Sequence, residues 1–434
     1  MTSPGRFATP PVVVPSRAAR PAPLRRDITD TLWISAGQAL IAFWMIFGFG
    51  ARTEGPTTVL LIISGLGTAM LLLAPRGTVS QIRISVPIVL LSLWWACSYR
   101  WTTNQGWFWV STKGEFGEIV PPILVASVLP IERITQAMRW SYYGVILLTL
   151  GATAANPGST TTHLDLTGRS VLAGWHGTFI HKNDMVFFLL LGLVTVLVFE
   201  PRRWLRISST VVTLALTMLS RSGTGAIAFT LLMILHQWME AHRNQPTYLR
   251  RWFAGVSLFL GAGLVALLIP LTPVLLSLGG KDSTGSGRTE IWAASIAALR
   301  PHIWTGFGIG GVWGDQGSEP TRSIVNRIGF TVFHSHNGPL ELTMRLGLVG
   351  LAIGLWMAWS VFRNAWWLQR ARNDIGRWVV AIMVLMLITW TSENTMTGEW
   401  LGLLAMMTAL TRRVRADVSA TPAPDPWPVR PRVL

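Results

Sequence analysis

Apolar stretches of membrane-entering length recur about twelve times along this 434-residue chain, and that recurrence leaves few folds open to it. They lie at about 31–50, 56–75, 82–99, 116–131, 138–155 and 184–200, then at 204–220, 222–239, 252–278, 338–362, 378–396 and 399–411. Several fall short of the roughly 20 residues that a perpendicular helix needs. The 116–131 stretch is the weakest, because it holds Glu118 and the pair Pro121 and Pro122. Only 13% of residues are charged, about half the share usual in a soluble domain. The expected fold is an all-α polytopic membrane protein of about twelve transmembrane helices.

The net charge of +16 would suggest a nucleic-acid partner in a soluble chain. Here the positive charge follows the loops instead. With the N-terminus inside, successive cytoplasmic segments hold five, two, two, three, three, four and five Lys or Arg, 24 of the 36 in all. Removing the weak 116–131 span would put every later basic loop on the wrong side, so the count supports it. Both termini are therefore expected in the cytoplasm, with no nucleic-acid partner. Residues 1–30 read as a disordered basic tail rather than a cleavable signal, since 1–26 hold six Pro, five Arg and no acid. Residues 31–413 form the transmembrane domain, and 414–434 a Pro-rich cytoplasmic tail.

Trp is abundant, 23 copies against 4 Tyr, and Trp33, Trp101, Trp140, Trp204, Trp252 and Trp378 adjoin the ends of apolar runs. An amphipathic ring rests well at a bilayer interface, so these read as anchors. The single Cys97 lies in an apolar run, so it has no thiol partner for a disulfide, a metal or redox chemistry.

Two outer segments, about 156–183 and 279–337, are too long and too patterned to be plain connections. Within the second, 289–299 reads as an amphipathic helix with Ile291, Ala294, Ile296 and Leu299 on its apolar face. The glycines between Gly306 and Gly311 lack the strand–helix context of a dinucleotide fingerprint. The second segment ends in His334, Ser335, His336 and Asn337 before an apolar helix carrying Glu341 and Arg345. Four-residue spacing puts Asn337, Glu341 and Arg345 on one helical face, with His336 at its mouth. The two His are not expected to bind zinc: positions i and i+2 face one way only on a strand, and no Cys or third close His completes a set. The first segment ends in His181, Lys182, Asn183 and Asp184, where a helix N-terminus favours an anionic ligand. Lys182 adds charge there, Arg169 lies upstream, and Arg221 sits in a short turn at the same membrane level. Arg suits bidentate contacts to phosphate. Several outer cations with one His suggest a diphosphate ligand plus a base.

At these residues the chain resembles the bacterial O-antigen ligase and polysaccharide polymerase superfamily. His336 and Asn337, followed after nine residues by Gly347 and Gly350, resemble the His-Asn…Gly-x-x-Gly signature of that family. Gly287, Arg288 and Trp292, then Pro301, Gly306, Phe307 and Gly308, are ordered like its large outer loop. The Gly-x-Phe-x-His-Lys-Asn pattern from Gly177 looks most like exopolysaccharide polymerases of the succinoglycan type. The likeness covers roughly residues 165–410.

The resemblance implies a GT-C-like, membrane-embedded glycosyltransferase of the bacterial inner membrane, with its large outer loop between spans nine and ten. It implies a donor glycan on undecaprenyl diphosphate at the outer leaflet, inversion at the anomeric carbon, and no metal or other cofactor. In this reading His336 and Arg288 are catalytic, and Arg169, Lys182, Arg221 and Arg288 bind the diphosphate. His181, Asn183, His334, Asn337 and Glu341 support them. Partners would be the lipid-linked donor, a glycan or lipid-linked acceptor, the bilayer, and flippase and chain-length regulator proteins. Polymerisation of repeat units is the first expectation and ligation of a finished chain to lipid A-core the alternative. A secondary transporter is the rival from another class, but its ionisable groups would lie at the bilayer midplane, where these spans are nearly uncharged. A glycoside hydrolase would need two facing carboxylates, for which Glu290, Asp315 and Glu341 are the candidates.

Overall fold

The computed structural model describes residues 28–49, 56–75, 82, 84–160, 174–179, 181–244, 287–317 and 319–420. Most of the N-terminal tail, the stretch at 252–278 and Arg169 lie outside the described residues. Eleven of the twelve apolar stretches are helical. In chain order these are α1 (Ile28–Phe49), α2 (Pro56–Leu72), α3 (Val86–Cys97), α4 (Gln105–Val128), α5 (Ile131–Ala155) and α6 (Lys182–Phe199). They continue as α7 (Arg203–Ser220) and α8 (Gly223–Asn244). The outer segment contributes α9 (Arg288–Leu299) and α10 (Thr321–Ile328), and α11 (Gly338–Arg370), α12 (Asp374–Trp390) and α13 (Gly398–Ala420) close the chain. No β-strand occurs among the described residues. The helix α13 runs on to Ala420, into the segment assigned to the C-terminal tail.

Three of these helices are long and apolar enough, by length and composition, to cross a bilayer: residues Asp30–Phe47 of α1, the whole of α6, and α11. Outward faces elsewhere carry large apolar side chains such as Leu72, Leu147, Trp140 and Trp204, as suits a membrane protein surrounded by lipid. The helix α6 is apolar on all sides and is accordingly buried on all sides, packed by α5, α7, α8 and α12. Its N-terminus opens onto the site described below. Not every end-of-run Trp is an anchor. Trp378 is fully buried, and its Nε1 donates to Thr195 Oγ1 at 3.0 Å.

The doubtful fourth stretch is a continuous helix that starts earlier, at Gln105. Pro122 lacks the N–H that would bond the Glu118 carbonyl four residues back. Trp44 Nε1 donates to that carbonyl at 2.8 Å, so the helix keeps its polar balance.

Inside α11 the helix breaks at Gly347, whose φ of 67° and ψ of −171° are not helical. A side chain there would meet the Trp304 carbonyl oxygen at 2.1 Å. The break frees backbone groups on both sides, and the outer loop fills them. Phe307 N–H donates to the Met344 carbonyl at 2.8 Å, and Leu348 N–H donates to the Ile303 carbonyl at 2.8 Å. Gly306 passes so close that a Cβ on it would lie 2.7 Å from the Arg345 carbonyl carbon. The Gly-Phe-Gly and Gly-x-x-Gly patterns are thus two halves of one joint.

The helix expected at 289–299 is present as α9, with one exchange on its apolar face. Ile291, Ala294 and Leu299 are buried with Ser295, whereas Ile296 is exposed. Its buried side joins Phe307, Val312, Trp313, Ile324, Val332 and Met344 in a small second core under the outer loop.

Candidate active site

Four separate pieces of chain converge on one carboxylate, Glu393, in the loop between α12 and α13. The helix α12 stops at Trp390, and residues 391–397 form this polar loop. Glu393 Oε1 accepts from Asn183 Nδ2 at 2.6 Å and from Arg288 Nη2 at 3.0 Å. Its Oε2 faces His336 Nδ1 at 3.3 Å. Asn183 is fixed in turn by Ser222 Oγ, which donates to its Oδ1 at 2.7 Å. The site thus draws on the N-terminus of α6, the turn before α8, the first residue of α9 and the approach to α11.

Local conformation explains each position. Gly287 caps α9 in the left-handed region, φ 78°, and turns the chain so that Arg288 is the first helical residue. His336 itself has φ 50°, a conformation that L side chains rarely adopt. Such strain persists only where the surroundings over-determine it. Here the neighbouring Ser335 is pinned on both sides of its backbone: its N–H donates to Glu341 Oε2 at 2.9 Å, and its carbonyl accepts from Trp292 Nε1 at 2.9 Å. Asn337 then caps α11, its Oδ1 accepting from Leu340 N–H at 3.0 Å.

The turn also corrects the geometric argument about the two histidines. Left-handed backbone at His336 folds residues i and i+2 together, and their rings lie 3.9 Å apart between centroids. Ligand atoms of His334, His336 and Glu393 fall within 4.8 Å of one another, a grouping that could hold a metal ion.

Hydrogen bonds assign the tautomers. His334 Nδ1 accepts from the His336 N–H at 3.2 Å, and His181 Nδ1 accepts from the Asn183 N–H at 3.2 Å. Both rings are therefore neutral, with the proton on Nε2. Burial is the main cause of a lowered affinity for protons at each, and it pushes His334 down to about 4. Burial alone would raise Glu393, but the hydrogen bond from His336 and the charges of His336 and Arg288 outweigh it. They hold this carboxyl well below the usual range. An ionised Glu393 takes the proton of His336 Nδ1 as its partner and leaves Nε2 as the basic nitrogen. His336 Nε2 has no protein partner among the described residues.

Behind the turn lies a second ion cluster. Arg345 bridges Glu341 at 2.9 Å and Glu115 at 2.7 Å, and Glu115 accepts from the Gly398 N–H at 2.6 Å. Glu341 is fully buried and also accepts from Trp313 Nε1 at 3.0 Å. This arrangement occupies Glu341 completely. Glu290 is exposed on α9 and accepts from its neighbour Thr289 Oγ1 at 3.0 Å.

Among the other anticipated residues, Lys182 is buried as the first residue of α6, close enough for its charge to act on His181. Arg221 is exposed in a left-handed turn that ends α7, and its neighbour Ser222, not Arg221 itself, enters the network. Glu393, Ser222 and Glu115 had escaped the sequence reading. Glu393 was hidden inside a stretch counted as apolar, although Thr391, Ser392, Glu393, Asn394 and Thr395 form a five-residue polar run there.

Residues 208–355 match the O-antigen ligase family. The exopolysaccharide production protein ExoQ of Rhizobium meliloti (strain 1021) is 29% identical over 191 residues. The resemblance to the O-antigen ligase and polysaccharide polymerase superfamily is thereby shown. The match spans 41% of this chain and 43% of the ExoQ protein, less than half of either. The part of this chain that matches O-antigen ligases holds Ser222, Arg288, His334 and His336, but ends before Glu393.

Proposed function

We propose that this protein polymerises surface polysaccharide by moving a growing glycan from undecaprenyl diphosphate to an acceptor sugar hydroxyl, at the outer face of the cytoplasmic membrane. The observation that carries the reading is the Glu393 carboxylate shared by His336 and Arg288. It joins a candidate base to a cation at one buried carboxylate. The acceptor hydroxyl gives its proton to His336 Nε2 as its oxygen attacks the anomeric carbon. The bond from that carbon to the diphosphate oxygen breaks, and the electron pair leaves with the lipid diphosphate, inverting the configuration. Arg288, with Lys182, Arg221 and Arg169, balances the charge that develops on the leaving group. Cationic side chains thereby serve in place of a divalent metal, and no nucleotide sugar is needed.

The ExoQ relative is an exopolysaccharide production protein, which supports polymerase over ligase. The O-antigen ligase match supports the second reading, transfer of a finished chain to lipid A-core or another acceptor. Deleting the gene and sizing the surface glycan separates them. Loss of a polymerase leaves single repeat units, whereas loss of a ligase strands long chains on the lipid carrier. Unchanged glycan of full length in the deletion strain would overturn both. A reporter fused near residue 315 is expected outside the cytoplasm, and a cytoplasmic signal there would refute the outer-face donor.

A further inference from the structure

The helices that build the site carry a second recess at their other end. From Lys182 at the site, α6 runs to Phe199; α7 returns from Arg203 to Ser220, and α8 runs back from Gly223 to Asn244. Between their far ends lies a cavity of about 320 Å³ lined by Arg203, Arg206, Gln237, His236, Ile207 and Val211, among others. At 1.5 Å per helical residue it lies on the order of 20 Å from Asn183, so it is not part of the Glu393 site.

Charge at this end is unbalanced. Neither Arg203 nor Arg206 has a side-chain hydrogen bond or ion pair among the described residues. The carboxylates of this end are engaged elsewhere: Glu200 by Arg139 at 2.6 Å and by the Arg202 N–H at 3.3 Å, and Glu240 by Arg377. Two guanidinium forks over a recess suit a phosphate oxygen set. From the same recess an apolar stripe climbs the outer face of α7. Trp204, Ile207, Val211 and Met218 recur at helical spacing and are 64%, 53%, 59% and 59% exposed. From Ile207 to Met218 the stripe is about 16 Å long, close to the roughly 15 Å hydrocarbon depth of one leaflet. A free anion has no use for such a stripe, whereas a lipid fills both parts.

We propose that Arg203 and Arg206 hold the phosphodiester of an anionic phospholipid in this recess, with one acyl chain lying along Ile207, Val211 and Met218 of α7. The ligand belongs to the bilayer rather than to the glycan reaction, and the inference does not depend on which sugar or acceptor is used.

The test uses the full chain extracted in mild detergent, with bound lipid measured by native mass spectrometry. Wild-type protein is expected to retain phosphatidylglycerol or cardiolipin, and the double variant Arg203→Gln, Arg206→Gln to retain at least tenfold less. Equal retention overturns the proposal. A competition arm on wild-type protein decides the matter even if the double variant fails to insert. Phosphatidylglycerol in nanodiscs should raise the thermal midpoint relative to phosphatidylcholine, and inorganic phosphate should not. An equal rise with inorganic phosphate would assign a free-anion site instead. A photocrosslinker at position 211 should capture lipid; capture of the chain's own 252–278 segment would show that protein, not lipid, covers the stripe.

Discussion

Two ion clusters flank the His336 turn, and they are built on opposite principles. On one side Arg345 lies between Glu341 and Glu115, a single cation between two carboxylates. The remaining oxygens of those acids are taken by Trp313 Nε1 and by the N–H groups of Ser335 and Gly398. On the other side a single carboxylate, Glu393, is surrounded by Arg288, His336 and Asn183. Only Nη2 of Arg288 touches Glu393, and the rest of its fork has no partner among the described residues. The first cluster is complete and acts as a brace. The second leaves part of the Arg288 guanidinium unengaged among the described residues, which suits contact with an anionic leaving group.

The comparison is most sharply tested by substitution on the open side. His336→Ala and Arg288→Ala should each lower glycan product by about 10²–10⁴-fold while expression and insertion stay normal. Near-wild-type turnover in both would remove the site assignment. Glu393→Gln keeps the shape but loses the charge that orients His336, and an activity loss of about 10–100-fold is expected from groups in that role. Treatment with a chelator should leave turnover unchanged; a loss restored by added metal would instead make His334, His336 and Glu393 a metal site.

The closed side should respond in stability. Arg345→Met leaves Glu341 buried and uncompensated, which typically costs about 3–5 kcal/mol. Thermal unfolding in detergent should show it as a lower midpoint. If Arg345→Met left the midpoint unchanged and only slowed turnover, the distinction between brace and site would fail.

The acid response is smaller and has a definite sign. The folded state holds His334 near 4 against 6.5 for a free imidazole, so the unfolded chain takes up the proton first. Stability should fall as pH drops from about 6.5 towards 4 and then level off. His334→Gln should flatten that slope, as read from melting midpoints at pH 7 and pH 5. Glu393 acts in the other window: its lowered affinity contributes stability above the ordinary carboxylate range, lost only in stronger acid. The smallest effect is expected at the exposed Ile296, where Ile296→Ser should stay within about 0.5 kcal/mol.

Spacing and hydropathy made the helices legible, because a helix that must satisfy its own backbone in lipid leaves a long apolar record. They also placed α9 to within a residue. Glu393 was lost for the same reason that the helices were found: averaging over an apolar window hides a short polar loop. The His334–His336 pair was misjudged because alternation along a strand was assumed, and a left-handed residue at 336 cannot be inferred from a histidine. Asn183 was legible as part of a helix start, yet its meeting with Glu393 depends on packing between elements 210 residues apart.

The break at Gly347 has a practical consequence for anyone exchanging parts between relatives. The 303–307 strip and the halves of α11 complete one another's hydrogen bonds, so neither is a self-contained module. A graft that swaps the outer loop with a boundary inside 303–349 would leave the Met344 carbonyl and the Leu348 N–H without their partners. Chimaeras should therefore carry the loop and the first three turns of α11 together, and the seam belongs beyond Gly350.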